Sequence, residues 1–417
     1  MSNPNSPRSA PRSLPRNVWV MTATSFLTDI SSEMIFNLLP LFLANVLGVQ
    51  TSIIGLIEGI AETTSSLLKI VSGWISDRLG TRKWLTVAGY GLSTIAKPFL
   101  YVASSWLGVL AVRFSDRMGK GIRTAPRDAL IADSIDARHR GLAFGLHRAG
   151  DTFGAALGLC IALLVVAAMQ TNAVELQRST FQTLVVISVI PAVLAVIILA
   201  FGVREVKATG RAAPPRLSLS GFSRSFRMFL VIVAIFTLGN SSDAFLILRA
   251  QERGVSVVAT LGMLIAFNVV YAVIAGPAGA LSDRLGRRRL ILIGWTVYSV
   301  IYLGFALATE AWEIWALYAI YGIYYGVFDG TARALVADLV PSEQRGTAYG
   351  VYNAVIGLAA FPASLLAGIL WQGVGGWGGF GAPAPFLAGA LLALVAMLML
   401  ARWSATAPGG EAQQPQT

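Results

Sequence analysis

"GWISDRLGTRK" at 73–83 and "GALSDRLGRRR" at 279–289 are two copies of one charged turn, 206 residues apart (282 minus 76). Each copy ends a long apolar stretch and opens onto a basic cluster. Three further matches follow the same register. "SSE" at 31–33 returns as "SSD" at 241–243, "ALIAD" at 129–133 as "ALVAD" at 334–338, and "RGLAFG" at 140–145 as "RGTAYG" at 345–350. The offsets stay within 205 to 210. The chain therefore reads as duplicated. A parallel repeat of this kind sets two bundles about an axis along the membrane normal, with a site between them near the midplane.

Composition places the duplicated unit in lipid. Of 417 residues, 55% are hydrophobic and 13% are charged, against about 25% charged in a soluble domain. Mean hydropathy is +0.67. Backbone groups in lipid must be satisfied internally, so long apolar runs are helices, and each span needs about 20 residues. Twelve such runs are expected: 17–46, 51–77, 83–103, 106–134, 141–168, 180–203, 227–249, 256–281, 288–308, 312–339, 345–371 and 384–403. The fold class is an all-α membrane protein with twelve transmembrane helices in two pseudo-symmetric six-helix bundles. The bundles are expected at 17–203 and 227–403. A polar linker at 204–226 joins them, and polar tails at 1–16 and 404–417 flank them.

The net charge of +11 does not point to nucleic acid, because the basic residues punctuate the gaps between apolar runs. With the N-terminus inside, about twenty arginines and lysines fall on the inner side, and only Arg178, Arg253 and Arg249 stand opposite. Both termini are expected in the cytosol of a multi-pass protein of the inner (plasma) membrane. No cleavage site follows the first apolar run, so no signal peptide is expected. Cys160 has no partner for a disulfide or a metal and reads as a small buried hydrophobe. His139 and His147 are too few for most metal centres, and no cofactor is expected.

The repeated turn resembles the signature of the major facilitator superfamily, a loop of the form G-x-x-x-D-R-x-G followed by basic residues. It stands here as Gly73, Asp77, Arg78, Gly80, Arg82 and Lys83, and again as Gly279, Asp283, Arg284, Gly286, Arg287 and Arg288. The resemblance covers about 17 to 403. It implies secondary transport by alternating access, a small-molecule substrate, protons as the coupling ion and a monomer in the bilayer. The physics of the motif supports a gate. Gly80 and Gly286 permit a tight turn. Asp77 and Asp283, at the inner ends of their helices, accept hydrogen bonds from a neighbouring helix N-terminus or pair with arginine.

The fourth run, "WLGVLAVRFSDRMGKGIRTAPRDALIADS", carries charge where lipid is expected. Arg113, Arg117, Lys120, Arg123 and Arg127 step by 4, 3, 3 and 4, so they share one helical face. The ladder spans about 21 Å at about 1.5 Å per residue. Each intramembrane charge costs about 2.5–3.5 kcal/mol on insertion scales, so the ladder must face a protein interior or a wet cavity. Partners stand on neighbouring runs: Asp29 and Glu33 on the first, Glu58 and Glu62 on the second, Arg148 and Asp151 on the fifth, with Asp116 on the fourth itself and Lys69 and Lys97 as further cations. Ion pairs linking the first, second, fourth and fifth helices are expected. Glu33 is the foremost proton-carrier candidate, followed by Asp29 and Asp116.

The second half is quieter. It offers Asn240, Asp243, Asn268, Asp329 and Arg333, and aromatics at Tyr318, Tyr321, Tyr324, Tyr325 and Phe328 that serve either as a stacking surface or as packing. The fifth run, "FGLHRAGDTFGAALG", lacks the Gly-Pro pair of many drug exporters of that family. Its Gly150, Gly154 and Gly158 suit close helix contact. Two transport readings remain open: proton-coupled efflux of a small amphiphilic molecule or metabolite, and proton-coupled symport or exchange of an organic anion. No nucleophile–base set, metal-ligand spacing or phosphate loop supports a membrane enzyme. A membrane-embedded sensor is the remaining class.

Overall fold

The computed structural model describes residues 14–136, 139–170, 173–206, 221–341 and 344–403. The expected tails and the centre of the linker thus lie largely outside the described residues. Twelve helical spans follow in order. They are α1 (Arg16–Phe36, continued through Leu39–Leu41 and a π turn at Phe42–Val46), α2 (Thr51–Leu79), α3 (Lys83–Ala96, continued by Phe99–Val102), α4 (Trp106–Asp133), α5 (Arg140–Met169) and α6 (Arg178–Gly202). The second set is α7 (Arg224–Gly239, continued by Ala244–Glu252), α8 (Val257–Leu285), α9 (Arg287–Leu307), α10 (Ala311–Asp338), α11 (Arg345–Gln372) and α12 (Ala384–Arg402).

Eight of these are long and apolar enough to cross a membrane by length and composition alone. The other four are α2, α3, α4 and α10. Charged side chains lower the hydropathy of α2 and α4, tyrosines lower that of α10, and α3 is split. Polar helices of this kind belong where neighbouring helices, and not lipid, cover them.

Three spans break where the sequence reads as continuous. Pro40 removes the N–H that would close the turn on Phe36, and Pro98 does the same for Thr94. In α7 the run Asn240-Ser241-Ser242-Asp243 interrupts the helix, since such side chains offer the backbone alternative hydrogen bonds. The Ser242 hydroxyl accepts from the Ala244 N–H at 3.3 Å.

Within the first six helices, α5 lies along α1. A Cβ at Gly154 would meet the Phe26 carbonyl at 2.4 Å, and one at Gly158 would meet that of Ile30 at 2.6 Å. The small-residue spacing therefore serves close helix contact as expected. Between the two sets, α2 packs on α11 and α5 on α8.

The ends of the molecule differ. At the end opposite the termini the halves are joined. The Thr51 N–H donates to Gln372 Oε1 at 2.7 Å, Gln251 Nε2 to Asn45 Oδ1 at 2.8 Å, and the Val257 N–H to the Ala173 carbonyl at 3.0 Å. At the basic end, where α2, α4, α8 and α10 finish, no hydrogen bond or ion pair among the described residues crosses between halves. The contact nearest that end is Arg148 Nη2 donating to the Tyr271 hydroxyl at 3.2 Å. The bundle is thus closed at one end and parted at the other.

Candidate functional site

The repeated turn makes the same kind of ion pairs in both halves, although its backbone differs, ψ being 11° at Gly80 and 142° at Gly286. Gly80 ends α2 at φ 65°, and Gly286 lies between α8 and α9 at φ 89°, a region that side chains disfavour. Arg82 Nη2 lies 3.1 Å from Asp77 Oδ1, and Arg82 also pairs with Asp133 at the end of α4. Arg287 Nη1 lies 2.5 Å from Asp283 Oδ1, and its Nε lies 3.5 Å from Asp338 Oδ2 at the end of α10. One arginine in each half therefore ties the turn to the "ALIAD" or "ALVAD" aspartate. Asp133 and Asp338 were not among the expected site residues. Their signal was the constant offset of 205 shared by the Arg82–Arg287 and Asp133–Asp338 pairs (287 minus 82; 338 minus 133). Both carboxylates of the motif thus pair with arginine, inside their own half. Gly73 packs its α-carbon side on Ala125 of α4, while Gly279 faces open space. Arg78 lies over the Trp74 ring at 5.3 Å, and Arg78 and Arg284 are exposed.

The cation ladder of α4 faces inward. Arg113 is 4% exposed and reaches Glu58 with Nε at 3.2 Å and Nη2 at 2.8 Å. Arg117 Nη2 lies 3.2 Å from Glu62 Oε1. Arg123 donates to Ser93 Oγ at 2.7 Å and lies over the Tyr90 ring at 4.5 Å. Arg127 pairs with Asp128 at 2.9 Å and reaches Ser25 Oγ at 3.4 Å. These contacts link α4 to α1, α2 and α3.

The expected ion pairs join α4 to α2, and among the described residues none joins α1 or α5 to the other helices of the first half. Arg148 of α5 does not enter a first-half pair. It points across to Tyr271, because α5 borders α8. Among the described residues the ion-pair contact of Asp151 is with His147 of its own helix, Nε2 to Oδ1 at 3.8 Å. Asp116, expected among the proton carriers, is 3% exposed and lines neither cavity described below. Its backbone carbonyl accepts from Ser93 Oγ at 3.0 Å, which ties that turn of α4 to α3.

Two cavities lie between the halves. The larger, about 730 Å³, is lined by both halves on the side of the basic end. Asp29, Glu33, Lys69, Lys120, Arg123, Arg127, Asp128, Arg148, Asp151, Asp329 and Arg333 contribute to its walls. Asp329 and Arg333 pair with each other at 3.3 Å. Glu33 accepts from Asn37 Nδ2 at 2.7 Å. The smaller, about 360 Å³, lies nearer the closed end and takes in Glu58, Glu62, Arg113, Arg117, Asn240, Asp243 and Tyr325. The helix breaks at Asn37 and at 240–243 both reach its wall.

The aromatics of α10 divide. Tyr318, Tyr321 and Tyr324 are buried and pack with Phe236, Trp295, Tyr298 and Tyr302, with Phe236 and Trp295 stacked at 4.4 Å. In this structure they serve as packing, and of the α10 aromatics Tyr325 alone reaches the wall of either of these two cavities. Asn240 joins this core, accepting from Tyr321 at 3.3 Å and Tyr302 at 3.5 Å. Cys160 is exposed on the outer surface of α5, so its expected burial is corrected: it faces away from the bundle. Lys97 is fully buried at the α3 break and donates to Ser31 Oγ at 2.7 Å and Ser32 Oγ at 3.0 Å.

Twelve helices in two bundles, closed at one end over a charged interior cavity, are the architecture of a membrane transporter. The chain belongs to the Major Facilitator Superfamily, whose family model matches residues 21–268 and 217–417. An uncharacterized MFS-type transporter of Methanocaldococcus jannaschii is 37% identical over 395 residues, covering 93% of this chain and 95% of that one. A crystal structure of a nucleoside transporter superposes with a TM-score of 0.76 at 12% identity, covering 92% of this chain and 99% of the other. A D-xylose-proton symporter gives 0.73 at 17% identity, covering 93% and 97%. These two likenesses are of fold.

Proposed function

We propose that the chain is a proton-coupled secondary transporter working by alternating access, with residues 17–203 and 227–403 moving as two bodies. The positive-inside pattern makes the basic end cytosolic, so the conformation described is open to the cytosol. The observation that carries this reading is the contrast between the hydrogen-bonded outer end and the parted basic end over one charged cavity. The paired turns at Arg82 and Arg287 hold each half together here and are placed to meet across the gap when the basic end closes.

Of the two substrate readings, the organic anion gains over the amphiphile. Six cationic side chains line the larger cavity against five carboxylates, and the aromatics that would suit an apolar substrate are buried in packing. Asp29 and Glu33 line that cavity without an ion pair among the described residues, which suits a carboxylate that exchanges partners as it takes and gives a proton. The experiment is solute movement in proteoliposomes under an imposed pH gradient. Gradient-driven accumulation lost in Glu33→Gln or Asp29→Asn, with exchange at equal pH retained, supports the assignment. Full gradient-driven accumulation in both variants overturns it.

A further inference from the structure

The seam between α2 and α4 holds an uneven set of charges. Arg113 and Arg117 have Glu58 and Glu62 as partners, at 2.8 Å and 3.2 Å. Farther along the same two helices, Lys69 and Lys120 line the larger cavity, and neither ammonium group makes a hydrogen bond or an ion pair among the described residues. The two lysines repel each other, and the carboxylate that attracts both of them is Glu62, already engaged by Arg117. Four cations thus face two carboxylates on this seam. Asp29 of α1 is the further carboxylate that Lys120 feels, and it pairs with neither lysine. Uncompensated like charges between helices are costly, and a transporter that occludes them needs an anion to offset them. The opposite wall adds a histidine. His147 of α5 is 4% exposed and lines the same cavity; its Nε2 lies 3.8 Å from Asp151, beyond hydrogen-bond reach, and neither ring nitrogen has a hydrogen-bond partner among the described residues.

We propose that Lys69 and Lys120, flanked by Arg117, receive an anionic group of the substrate that carries two negative charges, with His147 meeting another polar atom of the same molecule. A phosphate monoester or a closely spaced dicarboxylate has this chemistry. The proposal rests on the transporter reading above and names its substrate class. Glu62 competes with the incoming anion for the same cations, so binding loosens the Glu62–Arg117 pair that borders the smaller cavity. Substrate arrival at the larger cavity is thereby passed toward the closed end.

The test uses the purified full chain, with thermal unfolding as the readout. The probes are sulfate, glycerol 3-phosphate and succinate, each beside its less charged counterpart: chloride, glycerol and propionate. At least one dianion is expected to raise the unfolding temperature while its counterpart does not. A phosphoryl compound and a dicarboxylate acting differently would tell which form the site prefers. Lys69→Gln and Lys120→Gln are expected to weaken that probe by about tenfold, Lys120→Arg to keep it, and Glu62→Gln to bind it more tightly. A purely structural role for Glu62 predicts no tightening. Counterparts acting as strongly as the dianions, no response to any dianion by the folded chain, or unchanged affinity in both lysine variants would overturn the proposal. Transport of a neutral or cationic solute, undiminished in Lys69→Gln and Lys120→Gln, would sink this assignment and leave the transporter reading standing. Failure of the folded chain to move any solute would sink the transporter reading itself.

Discussion

Arg113 and Glu58 form a two-pronged ion pair, Nε to Oε1 at 3.2 Å and Nη2 to Oε2 at 2.8 Å, with both residues buried. The guanidinium also lies 4.6 Å from the centroid of the Phe36 ring, where α1 breaks. The pair therefore fixes α4 to α2 beside the bend in α1. Removing one partner from a buried pair leaves an uncompensated charge and costs about 3–5 kcal/mol, whereas replacing both by apolar groups is often close to neutral. Glu58→Leu and Arg113→Met are each expected to lower the unfolding temperature of the purified chain, and the double variant to recover most of it. A double variant as unstable as the worse single one would show that the pair does more than balance charge.

Arg82 and Arg287 each hold two carboxylates, one from the repeated turn and one from the end of the fourth helix of its half. This makes Asp133 and Asp338 equal in standing to Asp77 and Asp283. Asp77→Ala, Asp283→Ala, Asp133→Asn and Asp338→Asn should each slow turnover by about tenfold, a cost of about 1.4 kcal/mol, with substrate binding kept. Initial rates of exchange set beside equilibrium binding separate the two effects. Equal loss of both quantities, or loss in the first-half variants alone, would count against a shared gating role.

The repeat made the fold legible, because a charged turn between apolar runs has few uses other than a short loop at a membrane surface. The spacing of Arg113, Arg117, Lys120, Arg123 and Arg127 likewise showed that they share a face. Spacing names a face and not a partner, so the sequence could pair Glu58 with Arg113 only as one choice among several. It also gave no warning that Arg148 would cross to Tyr271. The break at 240–243 went unread for another reason: short polar residues in an apolar run are compatible with a continuous helix until tertiary contacts choose otherwise. The tyrosines of α10 could not be sorted into wall and core, since a tyrosine suits both.

Cys160 gives a clean reporter, as it lies on the outside of α5. The reactive form of cysteine is the thiolate, which an apolar environment disfavours. The chain in proteoliposomes should resist a charged methanethiosulfonate reagent and react after solubilisation or unfolding, and Cys160→Ser should transport at the parental rate. Rapid labelling in intact proteoliposomes would place this face of α5 in water and require the helix to be turned relative to the bilayer.

The closed end depends on α2 and α11 approaching more nearly than side chains allow. A Cβ at Gly55 would lie 2.2 Å from the Ser364 carbonyl oxygen, and one at Gly368 would lie 2.5 Å from that of Thr51. The hydrogen bond from the Thr51 N–H to Gln372 sits at the tip of this contact. A branched side chain at position 55 holds the two helices apart at that end and leaves the basic end free to close, so it shifts the balance between the two states of the transporter. A shift of about 2.7 kcal/mol changes that balance about a hundredfold. Gly55→Val should therefore fold, lose most of its turnover, and sample the state open at the outer end. The measure is labelling from that side in a Cys160→Ser background, using Ser242→Cys, whose position lines the smaller cavity. Labelling by a membrane-impermeant reagent should quicken when Gly55→Val is added. Parental turnover and unchanged labelling would show that the α2–α11 contact is not what closes this end.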